Sequence, residues 1–142
     1  RWSADGKRLV YSSITKRPKT NYDIYVIDVA TSTVSQITTE DTNEYQPDWS
    51  SDGEWIVYVA FKGGLKFQST RSGTLVIADL RANPEYEIWV KRIDALGRGS
   101  TQLTRSKGFD GWPRWSPGRH ELAFVSRRSG SLDLWTMIPG GK

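Results

Sequence analysis

One histidine, no cysteine and sixteen carboxylates bound the chemistry open to this chain of 142 residues. A zinc site built from several His or Cys ligands cannot be assembled from that set. Disulfides are excluded as well. A Ser-His-Asp triad would need His120 beside a serine on a strained elbow, and no Gly-x-Ser-x-Gly occurs. Gly63-Gly64 and Gly140-Gly141 are not followed by the Lys-Ser/Thr of a phosphate loop. Glu40, Asp41 and Asp110 are potential calcium ligands by type, but their spacing matches no known loop. The remaining noteworthy carboxylates are Asp5, Asp52, Asp23, Asp133, Asp28 and Asp94. Each sits in a phrase that recurs along the chain, and a residue that recurs with every copy of a phrase is structural. No catalytic residue, no metal ligand and no cofactor is therefore expected.

The recurring phrase is the strongest signal in the sequence. Trp2-Ser3-Ala4-Asp5-Gly6-Lys7-Arg8-Leu9-Val10-Tyr11 returns as Trp49-Ser50-Ser51-Asp52-Gly53-Glu54-Trp55-Ile56-Val57-Tyr58. It returns again as Trp115-Ser116-Pro117-Gly118-Arg119-His120-Glu121-Leu122-Ala123-Phe124. Asp-Gly between two apolar runs is a hairpin signal, with Gly supplying φ > 0 and Asp bonding the turn backbone. Asp5-Gly6 and Asp52-Gly53 meet that rule. Pro117-Gly118 does not, so a different turn, with the hairpin kept, is expected there. His120 aligns with Lys7 and Glu54 and is expected to be an exposed turn residue.

Two further phrases follow in each copy. Asp23-Ile24-Tyr25-Val26, Glu87-Ile88-Trp89-Val90 and Asp133-Leu134-Trp135-Thr136 have strand composition. Gln36-Ile37-Thr38 and Gln102-Leu103-Thr104 close two of the copies. The order is four short strands, A to D, with turn residues between them. Four antiparallel strands recurring every ~40–45 residues make a propeller blade. No useful 3.6-residue apolar period appears, so helix is not expected. Trp2, Trp49 and Trp115 share one repeat position, and Trp89 and Trp135 share another with Tyr25. Such residues stack between sheets, and together with Asp5, Gly6, Asp52 and Gly53 they form the structural signature.

Pro-x-Trp-Ser-x-Asp-Gly-x-x-Ile-Val-Tyr, then Asp-Ile-Tyr-Val-x-Asp, then Gln-Ile-Thr, resembles the repeat of TolB-like β-propellers. Related repeats occur in the propeller domains of tricorn protease and of prolyl oligopeptidase and dipeptidyl peptidase relatives. The resemblance covers nearly the whole chain and rests on turn and packing residues. It implies an all-β fold of about three four-stranded antiparallel blades, part of a propeller of six, incomplete at both ends. Blade 1 is expected at about 1–38, blade 2 at about 45–104 with an insertion at 62–86, and blade 3 at about 111–142 without its last strand. Residues 1–142 then form a single partial propeller domain. The expectation is a piece of a longer polypeptide; the rival is a homodimer that closes a ring. Partners would be the remaining blades or a second copy.

For function the resemblance implies two classes. One is a non-catalytic module that binds a protein or peptide, as in TolB, whose propeller is periplasmic and meets a lipoprotein of the cell envelope. The other is the propeller of a serine peptidase, gating access to a catalytic domain elsewhere. The first implies a periplasmic or otherwise extracytoplasmic site, with the cytoplasm as the other setting. The net charge of +4 is modest, and its densest clusters, Lys16-Arg17-Pro18-Lys19 and Arg127-Arg128, lie in loops. No basic stripe with interleaved aromatics indicates nucleic-acid binding. No apolar run of spanning length indicates membrane insertion.

From Tyr58 to Glu87 is 29 positions, against 12 from Tyr11 to Asp23 and 9 from Phe124 to Asp133. Two registers fit the long segment. Residues 74–80 are strand C with Tyr86–Ile93 as strand D, or Ile88-Trp89-Val90 is strand C and 74–80 belongs to an inserted hairpin. The matched spacing from Asp28 to Gln36 and from Asp94 to Gln102 favours the second. In an up-and-down blade the B–C and D–A connections share one face, and here those are the long ones. Recognition residues ride on such loops. The candidate binding residues are therefore Tyr22, Tyr45, Phe67, Arg71, Phe109, Trp112, Arg127 and Arg128. For Tyr45 and Trp112, each close before a proline, packing between blades is the simpler role.

Overall fold

The computed structural model describes residues 1–16, 20–62, 65–70, 73–78, 85–94 and 99–140, with the side chains of 15, 16, 20, 65–70 and 73–78 excepted. Twelve strands and no helix occur among them. They are β1 (Arg8–Lys16), β2 (Thr20–Asp28), β3 (Val34–Gln36), β4 (Asn43–Trp49), β5 (Trp55–Phe61) and β6 (Leu65–Thr70). Then follow β7 (Gly73–Ala78), β8 (Glu87–Arg92), β9 (Thr101–Gln102), β10 (Asp110–Trp115), β11 (Leu122–Ser126) and β12 (Asp133–Met137). Three antiparallel sheets result, in the orders β1-β2-β3, β4-β5-β8-β9 and β10-β11-β12. A fourth, β6-β7, is a hairpin. β5 pairs with β8, Tyr58 opposite Trp89, so the inserted-hairpin register is the one adopted. A stub precedes the first sheet, where Trp2 bridges Leu9 and the Arg1 amine donates to the Val10 carbonyl at 2.7 Å.

The repeated Trp-Ser-x-Asp-Gly phrase has a direct physical explanation. Ser3 Oγ accepts from Arg8 N at 2.9 Å and donates to Asp5 Oδ1 at 2.6 Å, and Asp5 accepts Lys7 N at 3.0 Å. Ser50, Asp52, Trp55 and Glu54 repeat the arrangement. The serine and aspartate thus satisfy turn amides that would otherwise face solvent alone. Gly6 and Gly53 sit at φ +68° and +71°. In the third copy the pairing of Trp115 with Leu122 and the 2.8 Å bond from Ser116 N to Glu121 O keep the hairpin. Gly118 is not among the positive-φ residues, so the turn interior differs while its closure is retained. An expected result follows. Gly53→Ala costs about 1–2 kcal/mol, because an L-residue is forced into left-handed backbone, whereas Gly118→Ala is near neutral. Thermal melts of both variants check it; equal losses would contradict the turn assignment.

The Gln-Ile-Thr phrase is a clasp. Thr38 Oγ1 accepts from Ile24 N at 2.8 Å, and Thr104 Oγ1 from Ile88 N at 2.9 Å. Gln36 Nε2 and Gln102 Nε2 donate to the carbonyls of Thr38 and Thr104 at 3.0 and 2.8 Å. Each clasp ties the segment after the last strand to the strand before it.

Two apolar seams hold the sheets face to face. Val10, Ile24, Val26 and Ile37 of the first sheet pack on Trp49, Ile56, Tyr58 and Ala60 of the second. Val57, Ile88 and Val90 of the second pack on Trp115, Leu122 and Phe124 of the third. Strand β5 alternates between the seams with the period of 2 that a strand imposes. Because both its faces are covered, six of its seven residues are buried. The far face of β12 is bare. Leu134 is 73% exposed, although it holds the repeat position at which Ile24 and Ile88 are fully buried.

Candidate functional site

The sheets share two rims. Tight turns such as Ser50–Glu54 lie on one; the connections β3–β4, β9–β10 and β11–β12 lie on the other. Residues that end β5 or begin β2, β4, β8 and β10 therefore gather on the second rim, whichever sheet they belong to.

Six aromatic rings form a continuous row there. Tyr22 meets Tyr45 with ring centroids 4.7 Å apart, and Tyr45 stacks on Phe61 at 5.7 Å and 9°. Phe61 meets Tyr86 at 4.7 Å, Tyr86 meets Phe109 at 5.4 Å, and Phe109 meets Trp112 at 4.9 Å. Tilted and offset pairs at such distances contribute about 0.5–1.5 kcal/mol each beyond area burial. The row crosses all three large sheets. Two amides stitch it: Tyr22 N donates to the side-chain Oδ1 of Asn43 at 3.2 Å, and Asp110 N to the Tyr86 carbonyl at 3.0 Å.

The last two rings depend on a local exchange between repeats. Tyr45 aligns with Gly111, and Asn43 with Phe109. A Cβ on Gly111 would lie 2.2 Å from the Phe109 ring. The third sheet thus supplies its aromatic from two residues earlier and folds it over a glycine. Both β4 and β10 then carry a bulge, with pairing skipped between Tyr45 and Asp48 and between Gly111 and Arg114. Gln46 and Trp112 occupy the bulges in left-handed backbone, at φ 55° and 50°. Pro47 and Pro113 follow, tolerated because a bulge on an edge strand needs no donor there. Trp112 N donates to Gln46 Oε1 at 2.7 Å, so one bulge holds the next. The result is a Trp112 side chain 48% exposed at the end of the row.

Buried carboxyls neighbour the rings in sequence, Glu44 before Tyr45, Glu87 after Tyr86 and Asp110 after Phe109. Glu44 is 1% exposed, takes hydroxyl bonds from Thr38 (2.6 Å) and Thr42, and is pushed up to about 8. Burial is the main cause; Asp23 and Glu40 add repulsion, and the two hydroxyls oppose it. Glu87, bonded by Thr104, is likewise raised by burial, with Asp110 nearby. Burial also raises the Tyr45 and Tyr86 phenols, so both are neutral at physiological pH. Asp110 Oδ2 accepts Ser106 Oγ at 2.8 Å and Arg128 Nη2 at 3.2 Å. Among the described residues no group of three or more His, Cys, Asp or Glu could hold a metal ion. No helix among them is long and apolar enough to cross a membrane.

Of the residues the sequence singled out, Tyr22, Tyr45, Phe109 and Trp112 come together in the row. Arg127 is exposed beside it, its amide bonded to Phe109 O at 2.9 Å. Arg128 lies over the rings of Phe124 and Trp135, 5.0 Å from each, and its charge is met by Asp110. Phe67 pairs with Val76 in β6, but its side chain and Arg71 lie outside the described residues. Phe61 and Tyr86 were not read as site residues. Tyr86 could have been found, because Tyr86-Glu87-Ile88 repeats Tyr22-Asp23-Ile24. Phe61 aligns with Ile14 and Arg127, and no type signal marks that position. His120 is exposed on the opposite rim, its ring 5.0 Å from Trp115.

A solved structure of a protein provisionally assigned as TolB from Agrobacterium tumefaciens superposes with a TM-score of 0.70 and 25% identity, over 99% of this chain and 45% of that one. TolB from Acinetobacter baumannii gives 0.69 and 25%, over 99% of this chain and 29% of that one. The chain is a structural homologue of the TolB propeller. This agrees with the TolB-like β-propeller repeat family whose signature the sequence carries. Tricorn protease is similar in fold, with a TM-score of 0.57 and 13% identity over 89% of this chain and 14% of that one. In sequence, the TolB-like chain is 30% identical over 125 residues to an uncharacterised protein of Agrobacterium fabrum, covering 88% of this chain and 34% of that protein. It is 35% identical over 65 residues to dipeptidyl-peptidase 5 of Porphyromonas gingivalis, covering 44% of this chain and 10% of that protein. The chain thus spans about a third of the first of these relatives and a tenth of the second. No family model matches it.

Proposed function

We propose that this TolB-like chain is a non-catalytic propeller module that binds a protein or peptide at the exposed, Trp112 end of its aromatic row. The observation that carries the reading is the row itself: six rings in mutual contact across three sheets, ending in an exposed Trp112. Aromatic side chains offer large rigid contact area at little entropic cost, which is why they dominate binding hot spots. The TolB likeness supports protein partnering and an extracytoplasmic setting. Further blades, in the same polypeptide or from a second copy, are the natural cover for the bare face of β12.

The test uses a panel of fluorescein-labelled, unstructured dodecapeptides of varied charge, titrated with the chain by anisotropy. Binding is expected for part of the panel, and Trp112→Ala should weaken it about tenfold, since losing a hot-spot tryptophan costs more than about 1 kcal/mol. Trp2→Ala removes another exposed tryptophan and should leave binding unchanged. Equal losses from both substitutions, or no binding at all, would contradict the reading.

The match to dipeptidyl-peptidase 5 favours a second reading, a propeller that gates peptide access to a hydrolase domain. The native polypeptide separates the two. A Gly-x-Ser-x-Gly hydrolase domain in it supports the gate; a small accompanying domain and a periplasmic location support the binding module.

A further inference from the structure

We propose that the Trp112 end of the aromatic row recognises an acidic peptide segment, one in which carboxylates flank an apolar or aromatic residue. This rests on the peptide-binding reading above and names the chemistry of the partner. Three cationic residues lie on the two connections that flank the exposed end of the row. Arg105 and Lys107 lie on the β9–β10 connection that delivers Phe109, and Arg127 opens the β11–β12 connection. The two connections are joined: Arg127 N donates to Phe109 O at 2.9 Å, and a Cβ on Gly108 would lie 3.7 Å from that of Arg127. All three cationic residues are exposed.

Position and lack of a partner together distinguish them: among the described residues Lys7 and Arg119 are also exposed without an ion pair, but they lie in the tight turns of the opposite rim, and Lys62 follows Phe61 in the middle of the row. Arg128 is met by Asp110, Arg92 by Glu54 and Asp94, Lys91 by Glu40 and Arg1 by Asp48. Arg8 lies over the Trp49 ring, 4.7 Å from its centroid. Arg105, Lys107 and Arg127 have no carboxylate partner among the described residues. Asp110, the carboxylate closest in sequence to Arg105 and Lys107, is fully buried and bonded to Arg128 and Ser106, and Asp133, six positions from Arg127, accepts from the Ser129 and Ser131 hydroxyls. A ligand carboxylate would therefore meet unspent positive charge, while its neighbouring apolar side chain meets Phe109 and Trp112. Charge complementarity of this kind sets specificity and association rate, and weakens with salt.

Three fluorescein-labelled dodecapeptides test the proposal: one of Asp, Pro and Phe, one with Asn for every Asp, and one with Lys for every Asp. The acidic peptide is expected to bind at least tenfold tighter than the Asn peptide in 50 mM salt, and the Lys peptide most weakly. The advantage should shrink severalfold in 500 mM salt. Arg105→Glu, Lys107→Glu and Arg127→Glu together should abolish it, and because all three are exposed the melting temperature should hold. Trp112→Ala should weaken the acidic and Asn peptides alike. Equal binding of acidic and Asn peptides overturns the acidic preference and leaves the peptide-binding reading standing. A preference that survives the triple reversal overturns the location. No binding by any of the three peptides overturns both readings.

Discussion

Trp49→Ala is expected to be among the most destabilising single changes in this chain, costing about 3–5 kcal/mol by analogy with other buried aromatic truncations. Trp49 is 5% exposed and sits in the seam between the first two sheets. Its ring lies under the Arg8 guanidinium, and its Nε1 donates to the Arg1 carbonyl at 3.2 Å. Truncation would open a cavity in a seam whose other members, Val10, Ile24 and Ile56, are fully buried and cannot all collapse into it. Trp2 holds the same repeat position but is 57% exposed, so Trp2→Ala should cost no more than about 0.5 kcal/mol. Urea denaturation of the two variants measures the difference directly. An unchanged midpoint for Trp49→Ala would contradict the alignment of the repeats.

The second large effect is on pH dependence. Glu44 has its folded-state pKa raised from 4.5 to about 8 by burial. Between those values the folded chain retains a proton that the unfolded chain has released, so stability falls as pH rises. The stabilisation is complete below pH 4.5 and is lost through about pH 8. One pKa unit corresponds to about 1.4 kcal/mol, so the loss is on the order of a few kcal/mol. Glu87, raised for the same reason, acts in the same direction. Glu44→Gln keeps the shape and an amide that can meet the Thr38 and Thr42 hydroxyls. It should therefore remove much of the slope and be more stable than the parent at pH 8.5. Denaturation at pH 5 and pH 8.5 checks this; parallel pH profiles for variant and parent would contradict it.

The fold was legible because its signature residues are local. Ser3, Asp5 and Gly6 fix a turn through bonds within five residues of one another, and Ser50, Asp52 and Gly53 do the same. The Thr38 and Thr104 clasps are nearly as local, reaching 14 and 16 residues back. The candidate site was only half legible. Tyr22, Tyr45, Phe109 and Trp112 could be assigned to one rim from topology alone. Their assembly with Phe61 and Tyr86 could not, because the ring contacts depend on how neighbouring sheets lean together. Arg128 illustrates the reverse. By type it belongs with binding residues, yet a buried Asp110 in the adjacent strand takes its charge. The bulges at Gln46 and Trp112 were also invisible, although the prolines that follow are the residues an edge bulge tolerates.

The most direct test is amide hydrogen exchange of the chain with and without a saturating acidic dodecapeptide of Asp, Pro and Phe. Slowed exchange is expected on the aromatic rim, at residues 43–46, 105–112 and 127–130. No change is expected in the tight turns at 4–7, 51–54 and 117–120. Slowing confined to those turns would place binding on the opposite rim and contradict the account.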